Sequence, residues 1–461
     1  MKSTISPKEY VMSAATHDGD TGSAPAGKLG MRFFSDEEFE LRLQRVRDRV
    51  AAQRLDAVII TNPENIYYLT GLNHQGYFAY TSLILPVERE PVLIIRAMEK
   101  AITRDMVVPK VRFYPYSDGI EPLPRPRDIA EDITFSSPTG EAEGAGLRPT
   151  SMSLGVSVRA NDDGDLDLSA PVAVTCQALE DLHLSSSRVA FEKNSSFLPY
   201  KTAEGFVGRM SGVRWSDAGD VINDCRIVQS PAELECTRKA AAISDAMVMS
   251  GIAMAGPGVP NRDVAAIIYH TMIQRGGTYP AFVPLIRSTR TLDHEHGTWD
   301  SDTLSEEDML FLEMSGCFWR YHAPVGRLAH IGRASEGAQR ATETCIDAQM
   351  AAADALKPGV TADSVYRAWK RCIDKAGFDH YHRHHCGYLV GIGFPPSWSG
   401  SGVPRGLRKG SDMTVEPGMA FHLMSWLMRT GQGDAFVSDT VIVNETGCEF
   451  LTNAPRHLIV R

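Results

Sequence analysis

The stretch that most constrains this chain is EMSGCFWRYHAPVGR, residues 313–327. It reads as a strand and a return strand, part of a strand pair around residues 309–331. On the apolar run DMLFLEMSG, Glu313 is costly to bury unless a cation or a hydrogen-bond donor meets it. A hairpin of this kind needs a sheet around it and a reason for its carboxylate.

The surrounding pattern supplies the sheet. SPAELECTRKAAAISDAMVMSGIAMA opens a helix, with Ser230 as cap, Pro231 in the first helical position and Glu233 three residues after the cap. A second domain is therefore expected from residue 229 to 461. It holds a further helix at NRDVAAIIYHTMIQRGG, a long helix from Ser335 to Leu356, a turn at KPGV, a helix at TADSVYRAWKRCIDKAG, and strands to the end.

Upstream, SDEEFELRLQRVRDRVAAQRL carries a helix start, and DAVIITN and PVLIIR read as strands. Their alternation predicts an α/β first domain over residues 37–228. Residues 1–36 read as an irregular arm, and the polar, Gly-rich residues 135–185 as an insertion or long loop.

At 461 residues two cores are expected. The formal charge of -10 argues against nucleic acid or an anionic membrane as the main partner. No apolar run is long enough to span a bilayer, and the first residues lack the apolar centre of a signal peptide, so a cytoplasmic location is expected. The eight cysteines are dispersed with no CxxC pair, which fits reduced thiols.

Five stretches of the second domain converge on one resemblance: HGTW, FLEMSGCFWRYHAPVGR, ALKPGVTADSVY, GYLVGIGFPPSW with LRKGSDMTVEPGMAFHL, and FVSDTVIVNETGCEFLT. Together they resemble the creatinase and aminopeptidase P family, whose catalytic domain has the pita-bread α/β fold. DAVIITNPENIYYLTG and RIVQSPAELE resemble that family's N-terminal domain. Metal-dependent members hold two ions with two Asp, one His and two Glu. Carried over by motif, the Asp positions become Glu313 and Pro324, and the His becomes Tyr388. The first Glu is kept as Glu416, and the last becomes Ser438. Two carboxylates out of five ligands do not make a two-metal centre, so no metal and no other cofactor is expected.

The family's metal-independent branches include creatinase and the ectoine hydrolases. Creatinase keeps a Glu where Gly326 stands and a His where Tyr388 stands. The ectoine hydrolase pattern is closer, matched by His296, Glu313, Arg320-Tyr321-His322, Arg327 and Gly387 through Trp398. The resemblance implies a hydrolase that breaks a non-peptide C–N bond in a small zwitterion, ectoine or 5-hydroxyectoine. Glu313 would attack the amidine carbon or activate water, and His296 would shuttle a proton. Glu416 would hold the amidinium and Tyr388 would donate to the tetrahedral centre. Catalysis of this kind requires Glu313, His296 and Glu416 to converge on one cavity.

Other residues admit two readings. Arg327 is either a substrate contact or half of a structural ion pair. Arg320 could hold the substrate carboxylate or lie on the surface. His322 could share its face, and Phe394 and Trp398 could wall an apolar pocket or pack a turn. His380, His382, His384 and His385 in DHYHRHHC suggest a metal, but a solvated strand end fits them better. In NHQGYFAY, Gln75, Tyr77 and Tyr80 occupy the stretch from which creatinase reaches a neighbouring subunit's pocket, which would imply a homodimer. Alternatives from other classes are a creatinase-like amidinohydrolase, a lyase acting on another small zwitterion, and a non-catalytic binding protein.

Overall fold

The computed structural model describes residues 32–108, 110–117, 169–400 and 404–461. The chain divides into two compact units, Ser35–Val221 and Ile222–Arg461, the latter grouped with the residues up to Phe34. The expected boundary near residue 229 thus moves a few residues earlier. Most of the arm lies outside the described residues. Its described end belongs to the second unit, where Phe33 meets Phe318 and Phe34 meets Tyr321, each at 5.8 Å between ring centroids.

The first unit is a mixed sheet in the order β4-β3-β2-β1-β5-β6. Its strands are β1 (Ala57–Ile60), β2 (Ser82–Pro86), β3 (Val92–Arg96), β4 (Arg112–Tyr116), β5 (Arg188–Phe191) and β6 (Arg214–Asp217). Helix α1 (Asp36–Ala52) starts where Ser35 accepts from the amide of Glu38, and α2 (Pro63–Thr70) follows β1. Helices α3 (Ser169–Asp181) and α4 (Tyr200–Arg209) set Val172, Leu179 and Phe206 against Ile59, Ile84 and Val189. The expected insertion therefore ends earlier than residue 185. Val172, Cys176 and Leu179 recur at helical spacing inside it and bury one face of α3. Its earlier part, through residue 168, lies outside the described residues.

The second unit is built on a nine-stranded sheet ordered β11-β10-β12-β13-β9-β8-β7, with β14 beside β13 and β15 beside β9. Helices α5 (Pro231–Met254) and α6 (Asn261–Gln274) precede or flank β7 (Leu285–Ser288) in sequence. The hairpin follows as β8 (Met309–Phe318) and β9 (Tyr321–His330), then α7 (Ala338–Ala355) and α8 (Ala362–Lys375). Strands β10 (His385–Leu389), β11 (Gly406–Arg408), β12 (Ala420–Leu427), β13 (Ala435–Val443), β14 (Cys448–Phe450) and β15 (Ile459–Val460) complete it. The capping box at Ser230 and Glu233 forms as expected, so α5 begins at Pro231.

Alternation along the strands sorts side chains onto two faces. Leu312, Met314 and Val325 pack under α5 and α6, while Leu423, Val437 and Val441 pack under α7 and α8. The opposite face carries Phe311, Leu328, Met424, Trp426 and Phe436. One rung of paired residues crosses that face: Leu285, Glu313, Gly326, Ser438, Met424. Because one face is filled by helices, the polar residues on the other have only each other and whatever enters. Among the described residues no helix is long and apolar enough to cross a membrane.

Candidate active site

Glu313 sits near the middle of β8, buried, with its Oε1 3.8 Å from Nδ1 of His422 on β12. The His422 ring is fully buried. Its Nδ1 lies 3.1 Å from the Tyr388 hydroxyl, and its Nε2 lies 2.7 Å from Oγ of Ser438. Indole Nε1 of Trp398 donates to the Tyr388 hydroxyl at 2.9 Å. Strand pairing explains the cluster: Tyr388 faces His422 across β10–β12, and Ser438 shares the rung of Glu313.

Burial sets the protonation states. It pushes the Glu313 carboxyl up to about 7, with the guanidinium groups of Arg287 and Arg383 pulling the other way. It pushes His422 down to about 3, helped by the nearby His385 and Arg327, so the imidazole is neutral at neutral pH. The Glu313–His422 contact is therefore not an ion pair. Burial also raises the Tyr388 phenol, with the Glu313 charge adding to it, so the hydroxyl stays protonated. With Trp398 donating to it, Tyr388 can donate onward to Nδ1, which leaves the ring proton on Nε2 for Ser438. The site is thus a short relay of exchangeable protons beside a carboxyl poised between its two forms.

Several expected site residues lie elsewhere. Glu416 is exposed and precedes β12, and Met424 is the residue that faces Ser438 across the ladder. The EPGM string supplied a plausible glutamate, but strand register decides which residue faces the site. His296 is also exposed. Its ring lies 5.8 Å from Phe282, which lies 5.0 Å from Trp398. Among the described residues no hydrogen bond or ion pair joins Glu313 to His296 or Glu416; Glu313 lies against His422, which bonds Tyr388 and Ser438. His422 was legible in part, as a lone histidine in the apolar run AFHLMSWL.

Arg320 is buried in the hairpin turn. Its Nε and Nη2 donate to the carbonyl of Gly393 and its Nη1 to Tyr279, with Phe394 stacked on the guanidinium at 4.6 Å. These donors hold a two-residue turn in which Trp319 and Arg320 both have positive φ, 47° and 67°, so neither Arg320 nor Phe394 is left for substrate. Arg327 pairs with Asp439 at 2.9 Å, both buried, and its other donors go to four backbone carbonyls; it is the structural ion pair. His322 is buried and accepts from the amide of Ala281 at 2.9 Å, which ties it to packing.

In the first unit Tyr80 is core, bonded to Thr175, so it is no lid residue. Tyr77 lies 5.6 Å from Phe197, and Gln75 is exposed. Of the histidine run, His380, His382 and His384 are exposed, and only His385 approaches Tyr388, at 5.6 Å between rings.

Two charged residues went unnoticed in the sequence because nothing local marks them. Arg287 on β7 points to the Glu313 face, its guanidinium 4.0 Å over the Phe311 ring. Arg383, within the histidine run, lies 3.7 Å over Trp426. Gly326 is required by the same face. A Cβ there would sit 2.8 Å from Cζ of Phe436 and 2.8 Å from Oγ of Ser438.

Residues 235–445 match the metallopeptidase family M24, and residues 42–142 match the creatinase/prolidase N-terminal domain. The chain thus carries an M24 domain preceded by a creatinase/prolidase N-terminal domain. The ectoine hydrolase of Halomonas elongata is 27% identical over 441 residues, covering 93% of this chain and 98% of that protein. The Xaa-Pro dipeptidase of Pyrococcus furiosus is 28% identical over 57% of this chain and 73% of its own. Among solved structures, dipeptidase PepE of Mycobacterium ulcerans superposes with a TM-score of 0.70 over 93% of this chain and 99% of its own, at 21% identity. A prolidase of Thermococcus sibiricus reaches 0.73 over 93% and 100%, at 17% identity. The pita-bread fold behind a creatinase-type N-terminal domain is therefore the architecture of this M24 hydrolase.

M24 is a family of metallopeptidases, and a metal would need suitable donors at this site. Of the positions that match the family's ligands, Glu313 alone brings a carboxylate to the site. The Tyr388 and Ser438 hydroxyls are engaged with His422, whose two ring nitrogens are thereby both committed. Among the described residues no group of three or more His, Cys, Asp or Glu side chains converges to hold an ion. A bridged ion pair needs several anionic oxygens. These residues do not fit it.

Proposed function

We propose that this M24 hydrolase opens a small cyclic amidine that carries a carboxylate, ectoine or 5-hydroxyectoine being the best match, and does so without a metal ion. The observation that carries the reading is Glu313, a lone buried carboxyl near its midpoint at neutral pH, beside the neutral His422. In its ionised form it can pair with an amidinium and take a proton from the attacking water. Water adds to the amidine carbon, and the C–N bond breaks as the proton returns from Glu313 to the departing nitrogen. The products are an amide and an amine, with one water consumed. The Tyr388 hydroxyl, held in place by Trp398 and His422, is the donor that turns from Nδ1 of His422 to the tetrahedral centre. Direct attack by Glu313, followed by water, uses the same residues.

The full-length similarity to an ectoine hydrolase supports the substrate class. To test the reading, purified protein treated with EDTA is incubated with ectoine, 5-hydroxyectoine, creatine and an Xaa-Pro dipeptide, and products are followed by mass. Ring opening of an ectoine in the presence of chelator is expected. Loss on chelation with rescue by a divalent ion would overturn the metal-free reading. Turnover of the dipeptide alone would favour a peptidase. A homodimer is proposed alongside; light scattering of the full chain checks it, and a monomer would rule out sharing of the site between subunits.

A further inference from the structure

Three rings floor the site beside Glu313. Phe311 stacks on Phe436 at 4.5 Å, and Phe436 meets Trp426 edge-on at 5.7 Å. A guanidinium lies over each end, Arg287 over Phe311 at 4.0 Å and Arg383 over Trp426 at 3.7 Å. Arg287 is 4% exposed. Its Nη1 donates to the carbonyls of Leu292 and His294, while its buried Nε has no acceptor among the described residues. Arg383 is paired with Oε1 of Glu295, 3.6 Å from Nη1, and its Nε has no acceptor among the described residues.

These charges do not balance. Glu295 is mostly exposed, at 68% of its side chain, and Glu313 is near half-ionised at neutral pH. Asp293, the other nearby carboxylate, is engaged by Arg429 at 3.1 Å. Arg287 and Arg383 also repel one another, and burial lowers the pKa of each. A buried and a partly buried guanidinium, each with an unused Nε, suit a planar, bidentate anion. They also repel a cation from the ring floor.

We infer that Arg287 and Arg383 form the subsite for the substrate's carboxylate, and so orient a zwitterion with its cationic end toward Glu313 and Tyr388. This inference rests on the proposed function for the identity of the substrate, but not for the existence of the anion subsite.

The test is calorimetric titration of the full chain with three probes. These are ectoine, the same ring without its carboxylate (2-methyl-1,4,5,6-tetrahydropyrimidine), and cyclohexanecarboxylate, an anion without the amidine. Arg383→Gln and Arg287→Lys are compared with the wild type, and thermal unfolding verifies that each variant is folded. Arg383→Gln should weaken ectoine and cyclohexanecarboxylate roughly ten- to hundredfold and leave the affinity of the carboxylate-free amidinium undiminished, or raised as the repulsion is removed. Arg287→Lys keeps the charge but loses the planar fork, and should weaken the two carboxylates less. With turnover, the loss should fall on KM more than on kcat. Equal carboxylate affinity in all three proteins, or an equal loss on the carboxylate-free ring, overturns the inference. Carboxylate binding that depends on the arginines without turnover of either ectoine would leave the subsite standing and sink the proposed function.

Discussion

Replacing Glu313 with Gln should stabilise the protein at alkaline pH while removing its activity. The ordinary carboxyl value is 4.5, and burial lifts Glu313 to about 7. Between those values the folded state keeps a proton that the unfolded state has released. Stability from this group is thus full below the lower value and is lost as pH rises through the upper one. Working the two binding curves through, ionisation of this single carboxyl costs about 2.5 kcal/mol more at about pH 8.5 than at about pH 5. The side chain is only 12% exposed, so little of this is screened by solvent. Gln has no proton to lose and escapes the cost. Because the chain has two units, one global unfolding energy is ill-defined, and hydrogen exchange of β8 and β9 amides is the suitable readout. Protection in Glu313→Gln relative to the wild type should grow by roughly 70-fold from the acidic to the alkaline condition. Activity of the wild type should rise with pH through about 7, as Glu313 becomes a base. Identical pH dependence of protection in the two proteins would refute the assignment of a raised carboxyl at this position.

His422→Phe removes the link between Tyr388 and Ser438 and should lower kcat by about a hundredfold or more with the fold retained, read from steady-state kinetics and circular dichroism; unchanged kcat would count against the relay. Gly326→Ala places a methyl group against Phe436 and Ser438 and should cost about 1–3 kcal/mol, read as lost hydrogen-exchange protection of the β8 and β9 amides. Arg327→Met takes one of two arginines from the buried Asp439, which keeps Arg456 at 2.8 Å, and leaves four carbonyls without their donor; it should cost about 1–3 kcal/mol, with the unfolding midpoint falling as the check. Arg327→Lys should recover part of that loss, since the ion pair survives while the carbonyl contacts are thinned.

Much of the architecture was legible along the chain. Ser230, Pro231 and Glu233 announce α5 because capping is satisfied within four residues. The β8–β9 hairpin is legible because its two apolar runs meet across two turn residues. Helix α3 escaped notice because the polar, Gly-rich stretch before it masked the spacing of Val172, Cys176 and Leu179. The family resemblance, carried by local strings, marked Glu313 and the losses at Pro324, Tyr388 and Ser438.

The sequence by itself determined the two-domain α/β plan, the fold of the second unit and the presence of one carboxylate on an apolar strand. It also determined that the positions matching the family's metal ligands no longer carry five donors. Only the tertiary structure decided which charged groups meet. It excluded Glu416, put Met424 across from Ser438, and committed Arg320 and Arg327 to backbone and ion pair. It brought His422, Arg287 and Arg383 to the face of Glu313 instead. The reason is physical. Capping and periodicity act over a few residues, whereas strand register, and the desolvation that shifts a proton, are set by partners distant in the chain.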